Sequence, residues 1–199
     1  MTTSIQAHKL VLRDKIRERV RAMESLRREV ESKNACSRLS QQPRWQNAGT
    51  ILGYAPLPGE LDVWPLLMGA LNERKRVFLP RFAGCSSGTA DQSGIYIACE
   101  IVSAEKDLCP GRFGIREPAQ WCPQFDLNRL DFTLVPGVAF DLQGRRLGRG
   151  KGFYDRMLAA VRGTICGVAF DEQIVGEIPI EPHDTLVNCI LTPTRWVEL

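Results

Sequence analysis

Short apolar runs alternate with helical patterns between residues 50 and 191, and this alternation constrains the fold more than any other feature. Strands are predicted from the apolar runs at 50–55, 76–80, 94–102, 131–136, 164–170 and 186–191. Helices are predicted between them at 63–75 and at about 153–161. Strands that alternate with helices form mostly parallel sheets with helices on both faces. The pattern therefore predicts an α/β fold, a three-layer α/β/α sandwich around a mostly parallel, mixed sheet.

The N-terminal part of the chain shows a different pattern, which is basic and helical. An amphipathic first helix is predicted from apolar residues that recur at helical spacing, namely Leu12, Ile16, Val20 and Met23. The segment 25–41 predicts a second helix. A chain of 199 residues with 44% hydrophobic side chains is long enough for one sizeable core but short for two. We therefore expect residues 1–199 to form a single domain, with helices at about 4–41 packed on it.

Composition excludes several functional classes. The seven cysteines contain no CxxC pair, so we expect neither a disulfide framework nor a zinc site. The formal net charge of +3 is too mild to indicate nucleic acid without a concentrated patch, and the basic excess lies in residues 1–33. The charged N-terminus lacks the apolar core of a signal peptide, and no apolar run is long enough to span a bilayer. We therefore expect a cytoplasmic protein without membrane contact.

The segment 144–152 combines glycines with basic side chains: Gly144, Gly148, Gly150, Gly152, Arg145, Arg146, Arg149 and Lys151. It lies between a predicted strand and a predicted helix, where ligands bind in open α/β sheets. Glycine lets a phosphate approach backbone N–H groups, while arginine and lysine supply full positive charges. The spacing fits neither a Walker loop nor the dinucleotide motif. The composition predicts a polyphosphate site, and a tight turn with a solvated basic edge is the alternative.

Asp155 follows this loop within the first turn of the predicted helix and allows two interpretations. A carboxylate there interacts favourably with the helix N-terminus and needs no metal. It could equally be a magnesium ligand beside phosphates, because Mg²⁺ takes one or two carboxylates together with waters and phosphate oxygens. The residue alone favours the first interpretation.

The stretch "LVPGVAFDLQGRRLGRGKGFYDRML" at 134–158 resembles the signature of the 5-formyltetrahydrofolate cyclo-ligase family, also called methenyltetrahydrofolate synthetase. Further blocks resemble the family in the same order: "YAPLPGELDVWPLL", "RVFLPR", "FGIREP", "FDEQIV" and "IPIEPHDTLVNCILTP". The resemblance covers essentially the whole chain.

This resemblance implies an ATP- and Mg²⁺-dependent enzyme that converts 5-formyltetrahydrofolate to 5,10-methenyltetrahydrofolate and releases ADP and phosphate. The formyl oxygen is a poor leaving group, so the resemblance implies that it attacks the γ-phosphate of ATP and forms an iminium phosphate. N10 then adds to the activated carbon, and phosphate departs. Positioning and charge neutralisation should supply most of the rate.

The resemblance also implies roles for individual residues. Contacts with ATP are implied for Lys9, Arg13, Arg146, Leu147, Gly148, Arg149, Gly150, Lys151, Gly152, Phe153 and Tyr154. Contacts with the folate are implied for Ala55, Glu60, Arg149, Gly150, Lys151, Gly152 and Phe153. Arg149 and Lys151 are the expected catalytic residues, and Asp155 and Asp184 match the family's metal positions.

For other residues the alternatives stay open or favour a structural role. Without the family, Lys9 and Arg13 would be interpreted as solvated charges of the first helix. Glu60 would be a carboxylate in an exposed loop, and Phe113 either stacks on the pterin or belongs to the core. His183 is not expected to bind the metal, because hard Mg²⁺ prefers oxygen ligands.

The expected partner is a small molecule, 5-formyltetrahydrofolate with or without a polyglutamate tail, bound by a monomer. The competing hypothesis is an RNA-binding protein, or a non-catalytic folate or nucleotide sensor on the same fold. The basic residues of the first helix are interleaved with acidic ones, and no aromatic stacking platform accompanies them. We therefore expect no nucleic-acid partner.

Overall fold

The computed structural model describes residues 2–83, 94–111 and 114–199. The helices are α1 (Thr2–Ala22), α2 (Ser25–Ser40), α3 (Pro43–Gln46), α4 (Trp64–Asn72) and α5 (Phe153–Leu158). The strands are β1 (Thr50–Leu52), β2 (Arg76–Ala83), β3 (Ile95–Ile101), β4 (Leu108–Pro110), β5 (Arg116–Pro118), β6 (Gln124–Phe125), β7 (Phe132–Pro136), β8 (Ala139–Asp141), β9 (Arg146–Leu147), β10 (Thr164–Val168), β11 (Ile174–Val175), β12 (Cys189–Leu191) and β13 (Trp196–Glu198). Short 3₁₀ helices lie at Leu127–Arg129 and Asp171–Gln173.

The main sheet has eight strands in the order β13-β12-β10-β7-β1-β2-β3-β6. Its five central strands, β12, β10, β7, β1 and β2, are mutually parallel. The outer strands β13, β3 and β6 pair antiparallel. The predicted mostly parallel, mixed sheet is therefore confirmed, and the carboxyl ends of β1, β2 and β7 lie at the same edge.

Helices cover both faces of this sheet, as the predicted sandwich requires. On one face, the predicted apolar stripe of α1 is buried, with Ile16 1% and Val20 7% exposed, in a core shared with α2, α3 and α4. On the other face, Met157 and Leu158 of α5 pack in a core with Phe140 of β8. Burial of these apolar side chains is the main force that holds the layers together.

Some strand boundaries differ from those predicted from the sequence, because pairing with neighbouring strands determines where a strand ends. The strand predicted at 50–55 ends at Leu52, whereas β2 continues past its predicted end at residue 80 because β3 pairs with it as far as Ala83 and Ile95. The region 103–130, where no strand was predicted, contains the short strands β4, β5 and β6. Residues 84–93, between β2 and β3, lie outside the described residues.

A short antiparallel hairpin, β8–β9, separates β7 from the glycine loop, so the loop does not follow the main-sheet strand directly as the sequence suggested. Asp141 is fully buried at its turn. Its Oδ1 accepts backbone N–H groups of Gln143 and Arg145 at 3.0 Å, and its Oδ2 accepts that of Ile178 at 2.8 Å. A buried carboxylate needs such partners, and here they fix the hairpin that carries the loop.

Candidate active site

A cavity of about 440 Å³ opens beyond the carboxyl ends of β1 and β7. Ligands bind at this edge in open α/β sheets. The cavity is lined by all the residues for which the family resemblance implies contacts with ATP, folate or metal: Lys9, Arg13, Ala55, Glu60, Arg146, Leu147, Gly148, Arg149, Gly150, Lys151, Gly152, Phe153, Tyr154, Asp155 and Asp184. The fold thus brings distant stretches of the chain into one site, while the role of each residue stays a prediction.

The glycine loop at 148–152 has a backbone that few other residues would adopt. Gly150 has φ +91° and Gly152 has φ +64°, in the left-handed region that favours glycine. Arg13 of α1 donates from Nε to the carbonyl oxygen of Gly148 at 2.9 Å. A Cβ at position 150 would lie 3.5 Å from the Arg13 guanidinium. The loop and α1 therefore pack closely, with Arg13 between the loop backbone and the cavity.

Lys9 forms a buried charge cluster with two acidic residues that are distant in sequence. Its Nζ lies 2.6 Å from Asp184 Oδ2 and 3.0 Å from Glu181 Oε2, and Lys9 is only 5% exposed. The interpretation of Lys9 as a solvated charge is therefore wrong. Burial would raise the pKa of Asp184, but hydrogen bonds from Lys9 and from the backbone N–H of Glu181 outweigh it and lower that pKa. Asp184 is thus held ionised.

Arg146 and Asp155 form a second ion pair at the other side of the loop. Arg146 Nη2 donates to Asp155 Oδ1 at 2.5 Å, and Arg146 is 5% exposed. Its Nε is buried without a hydrogen-bond partner among the described residues. Thr185 donates from its hydroxyl to the carbonyl oxygen of Asp155 at 3.4 Å, which connects α5 to the segment that carries Asp184. Asp155 therefore lies in the first turn of α5 but pairs with a side chain.

Glu60 and Arg149 form a third pair, more exposed than the other two. Arg149 donates to Glu60 Oε1 from Nη2 at 2.8 Å and from Nε at 3.2 Å. Glu60 Oε2 accepts the backbone N–H of Leu57 at 2.9 Å. The Glu60 side chain is 10% exposed and that of Arg149 is 50% exposed, so Glu60 is not the exposed loop carboxylate of the alternative interpretation.

The cavity also contains side chains that the sequence interpretation did not single out. Tyr96 of β3 lies 5.5 Å from Phe153 and 5.9 Å from Tyr154, measured between ring centroids. Burial raises the pKa of Tyr154, which keeps its phenol neutral. Glu117 and Glu181 line the cavity as well. The blocks "FGIREP" and "IPIEPHD" contained these two acids, but nothing in either block marked them as facing a ligand.

Metal-ligating side chains are few in the site. Within residues 2–83, 94–111 and 114–199 no three of His, Cys, Asp and Glu converge as a metal site would require. The His183 side chain is 67% exposed, and its Nε2 lies 3.7 Å from Asp184 Oδ1.

Phe113 lies outside the described residues. None of the described helices is both long and apolar enough to cross a membrane.

Comparisons with known proteins identify the family of this chain. A family model described as the 5-formyltetrahydrofolate cyclo-ligase family matches residues 5–193. The 5-formyltetrahydrofolate cyclo-ligase of Mycolicibacterium smegmatis is 38% identical over 153 residues, which cover 74% of this chain and 75% of that protein. The enzyme of that name from Escherichia coli K12 is 31% identical over 183 residues, or 90% and 97% of the two chains.

A solved structure extends the agreement to the fold. The NMR structure of Aquifex aeolicus 5,10-methenyltetrahydrofolate synthetase matches with a TM-score of 0.82 at 31% identity, covering 96% of this chain and 92% of that one. The fold and the relatives together define an enzyme of the ligase class that acts on folates. The chain belongs to the 5-formyltetrahydrofolate cyclo-ligase family, which confirms the resemblance identified from its sequence blocks.

Proposed function

We propose that this chain closes 5-formyltetrahydrofolate to 5,10-methenyltetrahydrofolate in an ATP- and Mg²⁺-dependent reaction that releases ADP and phosphate. One observation carries the proposal. In a chain of the cyclo-ligase family, the basic glycine loop lines the same cavity as Glu60, Asp155 and Asp184. All of these residues come from one chain, so the proposed site requires no second copy.

The phosphates of ATP bind at the basic side of the cavity. Lys9 and Arg146 lie there with little solvent exposure, and Arg13 is held against Gly148. Buried cations bind phosphate oxygens more strongly than solvated ones, because the effective dielectric constant around them is low. Glycines in the loop leave its backbone open to close approach.

The acidic residues beside these cations fit a magnesium ion. Asp155 and Asp184 supply the hard oxygen donors that Mg²⁺ prefers, and one or two carboxylates suffice when phosphates complete the coordination. Asp184 is held ionised, as a metal ligand must be. These carboxylates would hold Mg²⁺, which would supply positive charge to neutralise the phosphates. Lys9 and Arg146, now paired with the carboxylates, would then take phosphate oxygens as partners.

The reaction forms and breaks bonds in two steps. The formyl oxygen attacks the γ-phosphorus, the bond between that phosphorus and the ADP oxygen breaks, and an iminium phosphate results. N10 then adds its lone pair to the activated carbon, the carbon–oxygen bond breaks, phosphate leaves, and N10 loses its proton. Arg149 and Lys151 line the cavity, and in this proposal their positive charges stabilise the charge that develops on the transferred phosphoryl group.

The folate binds on the side of the loop that faces Glu60. Ala55 and Glu60 line this side, and Phe153 adds an aromatic face beside Tyr96. Arg149 touches Glu60 directly, so the loop that binds ATP is also in contact with the folate side. Such contact lets one rigid loop orient both reactants, which accounts for much of the rate in phosphoryl transfer.

The experiment is a turnover assay with purified protein, 5-formyltetrahydrofolate, ATP and Mg²⁺, followed by the absorbance of the methenyl product. Product should form only when all three components are present, and ADP should form in equal amount. Folded protein that binds the formyl folate but never turns it over would identify a non-catalytic sensor instead. Salt-sensitive RNA binding in a chain without turnover would identify the nucleic-acid alternative.

A further inference from the structure

Glu117 of β5 is a buried carboxylate with unused hydrogen-bonding capacity. It lines the cavity and is only 7% exposed. Its Oε2 accepts the backbone N–H of Phe82 at 3.1 Å. Its Oε1 is buried and has no hydrogen-bond partner within the part of the chain that the structure describes. A buried carboxylate can accept several hydrogen bonds, and leaving an oxygen without one is costly.

The other acids of the cavity differ from Glu117 in this respect. Glu60, Asp155 and Asp184 each pair with a cationic side chain at 2.5–2.8 Å. Glu117 forms no salt bridge with any described residue. Buried charges in proteins are normally paired or bound to a ligand. No described residue therefore supplies the donor that this oxygen lacks, and a ligand in the cavity can supply it.

The surroundings of Glu117 are closely packed and suit a flat ring. A Cβ at Gly111, the residue that follows β4, would lie 2.5 Å from Glu117 Cγ, so glycine at this position leaves space for the Glu117 side chain. The lining of the same cavity includes the apolar side chains of Leu79, Pro80 and Ile115 and the ring of Tyr96. An apolar wall with one polar group that fixes orientation is typical of sites for small heterocyclic ligands.

We propose that Glu117 binds the N–H edge of the substrate's 2-amino-4-oxo pyrimidine ring and thereby selects the heterocycle. This inference rests on the proposed function. That ring carries a 2-amino group and an N3–H side by side, and a carboxylate accepts two such parallel donors well. In this structure the oxygens of Glu60 hold Arg149 and the Leu57 N–H, whereas Glu117 Oε1 has no hydrogen-bond partner among the described residues. In this proposal Glu60 still contacts the folate, at the side of the cavity that faces the glycine loop.

The test begins with the unaltered protein and changes the ligand. Dissociation constants are measured calorimetrically, without ATP, for 5-formyltetrahydrofolate and for its analogue with hydrogen in place of the 2-amino group. A site that hydrogen-bonds a donor rejects ligands that lack it. We expect the analogue to bind on the order of 10- to 100-fold more weakly, as for loss of a charge-assisted hydrogen bond. Equal binding of the two ligands, within about twofold, overturns the proposal.

The same pair of ligands is then titrated into Glu117→Gln, which keeps the side-chain shape, and Glu117→Leu, which removes both acceptor oxygens. Glu100→Gln is the matched control, because Glu100 lies on neighbouring β3 and pairs with Arg76. In the Glu117 variants the ratio of the two dissociation constants should fall to a few-fold, and in the control it should equal that of the parent. The dissociation constant for ATP should stay within about twofold of the parent in all variants. Parent-like discrimination in Glu117→Gln overturns the proposal even if Glu117→Leu fails to fold.

These measurements are independent of catalysis. A parent protein that discriminates between the two ligands but forms no methenyl product would contradict the proposed reaction and leave the role of Glu117 standing. A parent that binds both ligands with equal dissociation constants and forms methenyl product would contradict recognition by Glu117 and leave the reaction standing. A folded parent that binds neither ligand would overturn both.

Discussion

The two edges of the parallel strands use charged residues in different ways. At the amino edge, Asp131 before β7 accepts the backbone N–H groups of Gly49 and Thr50 and the Thr50 hydroxyl at 2.8–2.9 Å. Lys75 before β2 donates to three backbone carbonyl oxygens at 2.6–3.0 Å. At the carboxyl edge, Lys9 and Arg149 pair instead with acidic side chains across the cavity.

The two edges differ in which atoms must move before a charged side chain can exchange its present partner for a ligand. Backbone partners are fixed by the elements to which they belong, so the charges at the amino edge contribute to stability and cannot be given to a ligand. A pair of side chains can separate by rotamer changes and offer both charges to a ligand. Substitutions at the carboxyl edge should therefore change function more than stability, and those at the amino edge should do the reverse.

The largest effect is expected at Arg149. Arg149→Ala should reduce kcat on the order of 10²- to 10³-fold, because it removes charge stabilisation at the transferred phosphoryl group. Arg149→Lys keeps the charge but loses the planar guanidinium, so its kcat should fall less. Steady-state kinetics with both substrates measure this, with exposed Arg129→Ala at the amino edge as the control. If Arg149→Ala keeps the kcat of the parent and only its KM for ATP rises, Arg149 has no catalytic role.

The next largest effect concerns binding of ATP by α1. Lys9→Ala and Arg13→Ala should each weaken ATP on the order of 10- to 100-fold, because each removes a charge-assisted hydrogen bond to phosphate. Folate affinity should change little. Titrations of each ligand separate the two effects, and Lys15→Ala, exposed on the same helix, serves as the control. Equal losses for ATP and folate would argue against phosphate contacts.

A smaller effect is expected on the magnesium requirement. Asp155→Asn and Asp184→Asn should raise the Mg²⁺ concentration for half-maximal turnover about 10-fold, since each removes an anionic oxygen ligand. Calorimetric titration of ATP with and without Mg²⁺ provides a second measurement, and Asp14→Asn on the exposed face of α1 is the control. If magnesium dependence is unchanged in both variants, Asp155 and Asp184 only orient Arg146 and Lys9.

The smallest effect on function is expected at the amino edge. Asp131→Asn should destabilise the fold by about 1 kcal/mol, a modest figure because the residue is exposed, and lower Tm by about 2–4 °C. Partial burial would raise the pKa of Asp131, but hydrogen bonds from Thr50 and Gly49 lower it below the ordinary value of 3.8. The stabilisation is therefore present above pH 3.8 and is lost as pH falls through the lowered pKa.

Thermal unfolding of the parent and Asp131→Asn at pH 7 and at acidic pH tests this sign. The gap in Tm should be largest at pH 7 and narrow as the parent's Asp131 takes up its proton. ATP and folate affinities should equal those of the parent at pH 7. A loss of ligand affinity without a loss of Tm would contradict the division between the two edges.

The sequence predicted much of the fold because its signals were local. The helical spacing of Ile16 and Val20 identified α1, and continuous apolar runs identified the buried central strands. Strand limits were predicted less well, because β1 ends and β12 begins where pairing with the neighbouring strands ends and begins. The hairpin β8–β9 was missed because its two short strands are stabilised by buried Asp141 and by pairing with β11.

For the candidate site, too, local features could be predicted from the sequence and long-range contacts could not. Glycine and basic residues in one short segment predicted a phosphate loop, because glycines leave the backbone accessible and basic side chains supply positive charge. The ion pair between Lys9 and Asp184 joins residues separated by 175 positions, so no local pattern could reveal it. Nothing in its sequence block marked Glu117, which β5 packs against Gly111 beside the cavity.

By itself, the sequence determined the layered α/β architecture, the basic glycine loop and the family, because periodicity, composition and block order are properties of neighbouring residues. Only the tertiary structure decided which charges face one another and which are buried. Partner, distance and burial depend on how separate segments pack, and these three quantities set whether a carboxylate is ionised, paired or ready to accept a ligand. The pairs Lys9–Asp184 and Arg149–Glu60 and the unsatisfied oxygen of Glu117 are therefore results of folding.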